Sequence, residues 1–214
     1  MKVKWLGHAS FLITSDDGIR IITDPYTTGG DLNYAGIKET ADIVTVSHDH
    51  FDHNNVSCVR GSPEVVRGGT AEVKGISFKG VSSCHDEEGG RLRGCNTMFC
   101  FTVSGVRVCH LGDLGHELND KQAAEIGPVD VLLIPVGGNF TIDAGAATLV
   151  CNRLKPRVVI PMHYRNQRCA FPVAGVDEFL RGKTDVSCPD ASDVEFKAGK
   201  LPASTRIIVL KPAL

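Results

Sequence analysis

Three imidazoles and two carboxylates fall within six residues of this 214-residue chain, in Ser47-His48-Asp49-His50-Phe51-Asp52-His53. Such a run packs poorly in a core and is an unusual solvated loop. In an extended stretch, side chains at i and i+2 share a face, so His48 and His50 can grip one ion together. Asp52 and His53 follow at a turn and can address a second ion beside it. Neutral imidazole and carboxylate suit zinc, and would also accept manganese or iron.

Two ions need further donors, and three candidates sit where strands are expected to end. His85 follows Val81-Ser82-Ser83-Cys84, Asp113 follows the 106–111 strand through Gly112, and His163 follows the 158–160 strand through Pro161-Met162. The elements that must position them divide the chain in two. Short strands over 3–6, 10–14, 19–22, 43–46, 65–66, 72–74, 76–81, 97–103 and 106–111 are punctuated by Gly and Asp turns. Asp16-Asp17-Gly18 and Ser104-Gly105 give hairpin signals. From residue 115 the pattern alternates. Asn119 caps a helix over 120–126, Asp143 caps another through Leu154, and a short helix spans 176–180. Buried strands are expected at 131–134 and 158–160, and closing strands at 195–196 and 206–210. Hairpins followed by αβ units imply mixed sheets covered by helices.

In this order, His48-x-His50-x-Asp52-His53, His85, Asp113 and His163 resemble the metallo-β-lactamase superfamily over essentially the whole chain. The resemblance implies an α/β fold, a four-layer αββα sandwich, as a single domain over 1–214. It implies two divalent ions, zinc first, with manganese or iron as alternatives. His48, His50 and His85 would hold one ion and Asp52, His53 and His163 the other, with Asp113 bridging. Asp24, in Ile22-Thr23-Asp24-Pro25, would orient the ligand loop from behind. Trp5-Leu6-Gly7-His8-Ala9-Ser10 and His110-Leu111-Gly112-Asp113-Leu114-Gly115-His116 are similar to the branch related to L-ascorbate-6-phosphate lactonase. That branch places His8 near the metals. His116 becomes a rim residue that shuttles a proton or binds substrate, and His110 a core or supporting residue.

Two such ions roughly 3.5–4 Å apart share a water and lower its pKa toward about 7, so no serine or cysteine nucleophile is needed. Asp52 and Asp113 are then the catalytic carboxylates, Asp52 as proton acceptor and Asp113 as bridge. Arg93, in the segment after His85, and Arg165 and Arg168, after His163, are candidates to hold a phosphate or carboxylate. The expected activity is hydrolysis of a small anionic ester, lactone or phosphodiester. The alternatives are a ribonuclease Z-like nuclease and a non-catalytic metal-binding protein that has kept the fold.

Composition bounds the partners. With 23 Lys+Arg against 25 Asp+Glu the formal charge is −2, which provides no electrostatic attraction for nucleic acid or anionic membrane. A small-molecule substrate is expected, with neither nucleic acid nor membrane as partner, and homo-oligomers are compatible with the exposed edges of such sandwiches. Eight cysteines at 58, 84, 95, 100, 109, 151, 169 and 188 include no C-x-x-C pair. They read as packing residues in a reducing compartment. No signal-peptide pattern opens the sequence, so the cytoplasm is the expected location.

Overall fold

Two-residue periodicity and closely spaced turns dictate a strand-rich N-terminal half, and the computed structural model, which describes residues 1–214, shows it. Strands β1 (Lys2–Gly7), β2 (Ser10–Thr14), β3 (Arg20–Thr23), β4 (Ile43–Thr45) and β5 (Glu64–Val66) come first. They are followed by β6 (Thr70–Val73), β7 (Ile76–Cys84), β8 (Cys95–Val103) and β9 (Val106–His110). The alternating half contributes α1 (Asp120–Ile126), β10 (Val131–Pro135), α2 (Ala144–Leu154), β11 (Val158–Met162) and α3 (Val176–Leu180). Strands β12 (Val186–Ser187), β13 (Asp193–Glu195) and β14 (Arg206–Ile208) close the chain. No helix is long and apolar enough to cross a membrane.

The strands form two mixed sheets, ordered β13-β1-β2-β3-β4-β5 and β12-β14-β11-β10-β9-β8-β7-β6. In the larger sheet β6 to β9 are an antiparallel meander, and β9, β10, β11, β14 and β12 run parallel. One cluster of 43 buried residues, including Trp5, Phe11, Phe78, Phe99 and Phe179, forms the main core. The central strands of the smaller sheet are buried on both faces, while its edges expose Glu64 and Val65 on β5 and Glu195 on β13. Trp5, Ile21 and Ile43 point into the main core, while their neighbours Leu6, Ile22 and Val44 belong to a second cluster of 11 residues. That cluster is closed by Tyr26, Leu32, Tyr34 and Ile37, from the irregular segment between β3 and β4, and by Cys169. The layer over the smaller sheet is thus irregular chain with a 3-10 turn at Val56–Cys58, and the α-helices belong to the second half.

The helix ends follow their sequence signals. Asn119 and Gln122 bond reciprocally in a capping box, and the Asp143 side chain accepts from the backbone N–H of Ala146. Several strand ends shift from the expected positions, as where β7 runs on to Cys84 and the strand expected at 206–210 stops at Ile208, and three further details depart from the sequence expectation. Strand β12 has too few residues to leave a periodic pattern. The strand expected at 195–196 is instead Asp193–Glu195, fixed by pairing with Lys2–Lys4. Residues 47–53 are a bend and a turn, because the His50 carbonyl accepts from both His53 and Asn54 N–H.

Parallel pairing brings many strand ends to one edge. β3 and β4 run the same way, as do β9, β10 and β11, and β7 runs with β9 because both are antiparallel to β8. The residues after these ends include Asp24, Ser47, His85, Asp113 and His163. Ligands bind at the carboxyl ends of strands in open mixed sheets for this reason.

Candidate metal centre

Three residues at this edge have left-handed backbone: His8 (φ 52°), Asp24 (φ 39°) and His163 (φ 52°). Such conformations cost about 1–3 kcal/mol each, and here each one turns a side chain into the same interior. Two glycines let the loop that carries Asp113 approach. A Cβ on Gly112 (φ 55°) would lie 2.4 Å from Asn96 Oδ1, and one on Gly115 would lie 2.3 Å from the backbone of His85 and Asp86. Any larger residue at either position would push Asp113 away from its neighbours.

The donors fall into two groups. The ligand atoms of His48, His50 and His85 lie within 4.8 Å of one another, as do those of His8, Asp52, His53 and His163. Asp113 Oδ2 stands between the groups, 3.2 Å from the Nε2 atoms of His53 and His85, 3.3 Å from that of His163 and 3.9 Å from that of His48. His8 Nε2 lies 3.0 Å from Asp52 Oδ2. His48 and His50, although on a bend, still meet, with Nε2 and Nδ1 3.0 Å apart.

Asp24 organises both groups from beneath. Its carboxylate accepts the Ser47 backbone N–H at 2.8 Å, the Ser47 hydroxyl, and the His53 Nδ1–H at 2.8 Å. Because the Ser47 hydroxyl donates to Asp24, its oxygen is left to accept from His48 Nδ1 at 2.8 Å. Both imidazoles therefore have Nδ1 committed and Nε2 facing the cluster, as a ligating histidine requires. Asn96 supports the other side. Its Oδ1 accepts the Asp113 backbone N–H, and its Nδ2 donates to Ser83 Oγ and the Leu111 carbonyl. Asn96 has no spacing signal and arrives at this edge only because β8 runs against its neighbours. Replacing Asp24 with Ala is expected to weaken metal affinity about 10–100-fold, the usual effect of losing such a support. Equilibrium metal competition measures it, and unchanged affinity would remove Asp24 from the site.

Burial and charge divide the protonation states sharply. Burial, with the neighbouring His53, drives His48 down to about 3. Burial, with His163 nearby, takes His8 to about 4. The His50 imidazole is lowered by burial and by His85. For Asp113, burial works against ionisation but His163 and His53 outweigh it, holding the carboxyl well below its ordinary value. Asp52 and Asp24 are likewise lowered against burial, Asp52 by His53 and by its hydrogen bond to His8, Asp24 by His110 and His53. His53 is raised well above its ordinary value, since Asp113 and Asp52 outweigh its burial. One raised imidazole thus faces three ionised carboxylates. Asp113 Oδ1 is buried with no hydrogen-bond partner, and His53 Nε2 meets Asp113 Oδ2 without the alignment of a hydrogen bond. This excess of negative charge and unpartnered donor atoms fits divalent cations.

The other sequence candidates separate. His110 is a supporting residue: its Nε2–H donates to the Ala9 carbonyl and its Nδ1 accepts from Gly112 N–H. His116 is not free to shuttle protons. Its Nε2 accepts the Cys84 backbone N–H and its Nδ1–H donates to the Glu117 carbonyl, so both nitrogens tie the end of β7 to the Asp113 loop. Arg93 lines a cleft of about 650 Å³ together with Asp86 and Gly115, and its guanidinium lies 5.6 Å from the Phe140 ring centroid. Arg165 and Arg168 are exposed, are absent from that cleft, and their side chains make no ion pair. Two residues that sequence reasoning missed shape the surroundings of the donors. Phe171 packs against His8, His163 and Phe140. Asp86 is buried and accepts the backbone N–H of Glu88, Gly90, Leu92 and Arg93. Those four donors outweigh desolvation and hold its carboxyl at about 2, fixing the loop that carries Arg93.

Comparison with known proteins agrees with this arrangement. The family model described as the beta-lactamase superfamily domain matches residues 2–163. The chain is 33% identical to a UPF0173 metal-dependent hydrolase of Carboxydothermus hydrogenoformans, over 83% of this chain and 88% of that one. It is 30% identical to another from Archaeoglobus fulgidus, over 94% and 97%. A crystal structure from Thermotoga maritima, provisionally described as a Zn-dependent hydrolase of the metallo-beta-lactamase superfamily, superposes with a TM-score of 0.81 at 36% identity, covering 98% and 97% of the two chains.

Proposed function

The chain belongs to the metallo-β-lactamase superfamily, alongside the UPF0173 metal-dependent hydrolases, and from that premise we propose that it hydrolyses a small anionic ester, lactone or phosphodiester with two divalent ions. The observation that carries this reading is the pair of donor groups on either side of Asp113. His48, His50 and His85 would hold one ion; Asp52, His53 and His163, with His8 alongside, would hold the other. When bound, such ions lower the pKa of water and polarise the substrate oxygen on which negative charge develops. Zinc heads the order because imidazole outnumbers carboxylate in both groups, and manganese and iron follow.

The protein supplies the geometry around that chemistry. Asp113 fixes the spacing of the two groups. Asp52, kept ionised by His53 and His8, presents a carboxylate oxygen to accept a hydrogen bond or proton from the attacking water. Phe171 covers His8 and His163 and limits access of bulk water, which strengthens electrostatic interactions inside. Arg93, held in place by the Asp86 loop, would receive the substrate's anionic group. The cleft also carries Glu87, Glu88, Glu117 and Asp143. An acidic rim tolerates one negative charge at Arg93 and repels a polyanion, which favours a small molecule over the ribonuclease Z-like alternative. The complete donor set disfavours a non-catalytic protein. Lactones remain among the substrates through the likeness of Trp5–Ser10 to the L-ascorbate-6-phosphate lactonase branch, since Trp5 Nε1 donates to the His8 carbonyl and so positions His8. Eight free thiols suit the cytoplasm, and the exposed Val65 on edge strand β5 suits self-association.

Screening the metal-loaded protein against lactones, phosphodiesters and thioesters tests the reading; no turnover in any class would sink it. Arg93→Gln is expected to lower kcat/KM for an anionic ester by about ten- to a hundredfold, the worth of a hydrogen-bonded charge contact. A neutral ester of equal size should be unaffected. Equal losses for both would show that Arg93 does not read charge.

A further inference from the structure

Cysteines scattered along the sequence are brought together by sheet register. Cys100 on β8 lies directly opposite Cys109 on β9, and their sulfurs are 3.6 Å apart. The backbone decides what this pair can do. Arg107 turns its N–H and C=O toward Asp130, and Leu111 turns its N–H toward Leu133. Counting by twos along β9, Cys109 also faces away from β8, so 100 and 109 form a non-hydrogen-bonded pair. Opposed Cα atoms in such pairs are about 4.5 Å apart, within the span of roughly 4.4–6.8 Å that a disulfide bridges.

The surroundings suit a reactive thiol. Lys79 on β7 lies directly opposite Cys100 on its other side, so Lys79, Cys100 and Cys109 form one row of residues across three strands, with the Lys79 ammonium donating to the Glu125 carbonyl at 2.6 Å. Both cysteines line a cleft of about 220 Å³ on the outer face of the larger sheet, beside Arg107, Ile126 and Pro128. The hydrogen bond with Cys109 lowers the Cys100 thiol against its burial, and Lys79 lowers it further. Cys109 is raised by the same hydrogen bond and by its own burial.

We propose that Cys100 and Cys109 are a modification site, a dithiol that hydrogen peroxide converts to a cross-strand disulfide. The Cys100 thiolate attacks one peroxide oxygen; the O–O bond breaks, the other oxygen leaves as water after taking a proton, and Cys100 becomes a sulfenic acid. The Cys109 sulfur then attacks the Cys100 sulfur; the S–O bond breaks and a second water leaves with the Cys109 proton. Two thiols and one peroxide give one disulfide and two waters. Cys100 is the attacking group because Lys79 stabilises its thiolate and because Cys109 is fully buried.

The test treats the purified full chain with hydrogen peroxide and counts free thiols after unfolding. The count is expected to fall by two, reversibly with a reductant. Tryptic cleavage after Arg107 separates the two cysteines, so the disulfide should appear as peptide 94–107 joined to peptide 108–121, with fragmentation placing the link at Cys100. In Cys109→Ser, Cys100 should remain as a sulfenic acid that dimedone traps, and Lys79→Met should slow oxidation severalfold. An unchanged thiol count, or a main product that joins Cys84 to Cys95 (the other directly opposed pair), would overturn the proposal. The mapping on the unmutated chain decides the matter even if a variant fails to fold.

Discussion

Asp113→Asn is expected to lower kcat by about two to three orders of magnitude, the range seen when one preorganised electrostatic group is removed from a hydrolytic site. It should also reduce the bound metal per chain. The side chains are nearly identical in shape, so the loop contacts of Gly112 and Gly115 survive, as does the backbone bond from residue 113 to Asn96. What changes is charge. Asp113 Oδ2 is the one atom lying 3.2–3.3 Å from imidazoles on three separate segments, the 48–53 loop, the end of β7 and the end of β11. An amide presents a single, neutral acceptor there and would not neutralise the two cations proposed. Without metal, the same substitution removes the largest upward influence on His53, so that imidazole should titrate at lower pH. Metal stoichiometry, turnover of the best screened substrate and circular dichroism together separate the cases. A folded variant with two ions and full turnover would remove Asp113 from the mechanism.

Much of this site is legible in the sequence because its donors are costly residues in unusual company. Three histidines in six residues have few other uses, and His85, Asp113 and His163 each follow the end of a strand, a compact apolar one before His163. Both ends of α1 and the start of α2 are legible for a similar reason, since Asn119, Asp143 and Gly127-Pro128 act locally. The supporting residues are not. Ser47 and Asn96 are common residue types whose roles come from where antiparallel β8 meets the loop after β4. The layer over the smaller sheet is also hidden, since Tyr26, Leu32, Tyr34 and Ile37 follow neither a 3.6- nor a 2-residue period. The pairing of Cys100 with Cys109 depends on hairpin register, and the register becomes visible only when the strands are in place. His116 shows the converse. It stands in a suggestive motif, yet two backbone contacts use up both its nitrogens.

Stripping the metal is expected to have the largest effect on stability, with a pH dependence set by the same imidazoles. A ligand at a hundred times its Kd contributes about 2.7 kcal/mol per site. The two proposed sites would therefore contribute roughly 5 kcal/mol, or about 10–20 °C in Tm for a domain of this size. The stripped protein should then show maximum stability near pH 6.5. Below that value His8 and His48 matter, because they hold to about 4 and about 3 in the folded chain against about 6.5 when unfolded. Between pH 6.5 and 4 the unfolded chain binds more protons, so stability falls as pH falls, by at most about 1.4 kcal/mol per pH unit for each group. For His8 alone the loss totals roughly 3 kcal/mol. His53 acts on the other side. Its folded value is raised, so its contribution is complete below pH 6.5 and is lost as pH rises through that raised value. The carboxylates Asp24 and Asp113, lowered in the fold, withdraw their contribution only in stronger acid, below about 3.8. Urea unfolding of stripped and reloaded protein at steps of pH measures both effects. A stripped protein with an unchanged midpoint and a flat profile from pH 4 to 6.5 would show that these histidines are held together by something other than the need to bind metal.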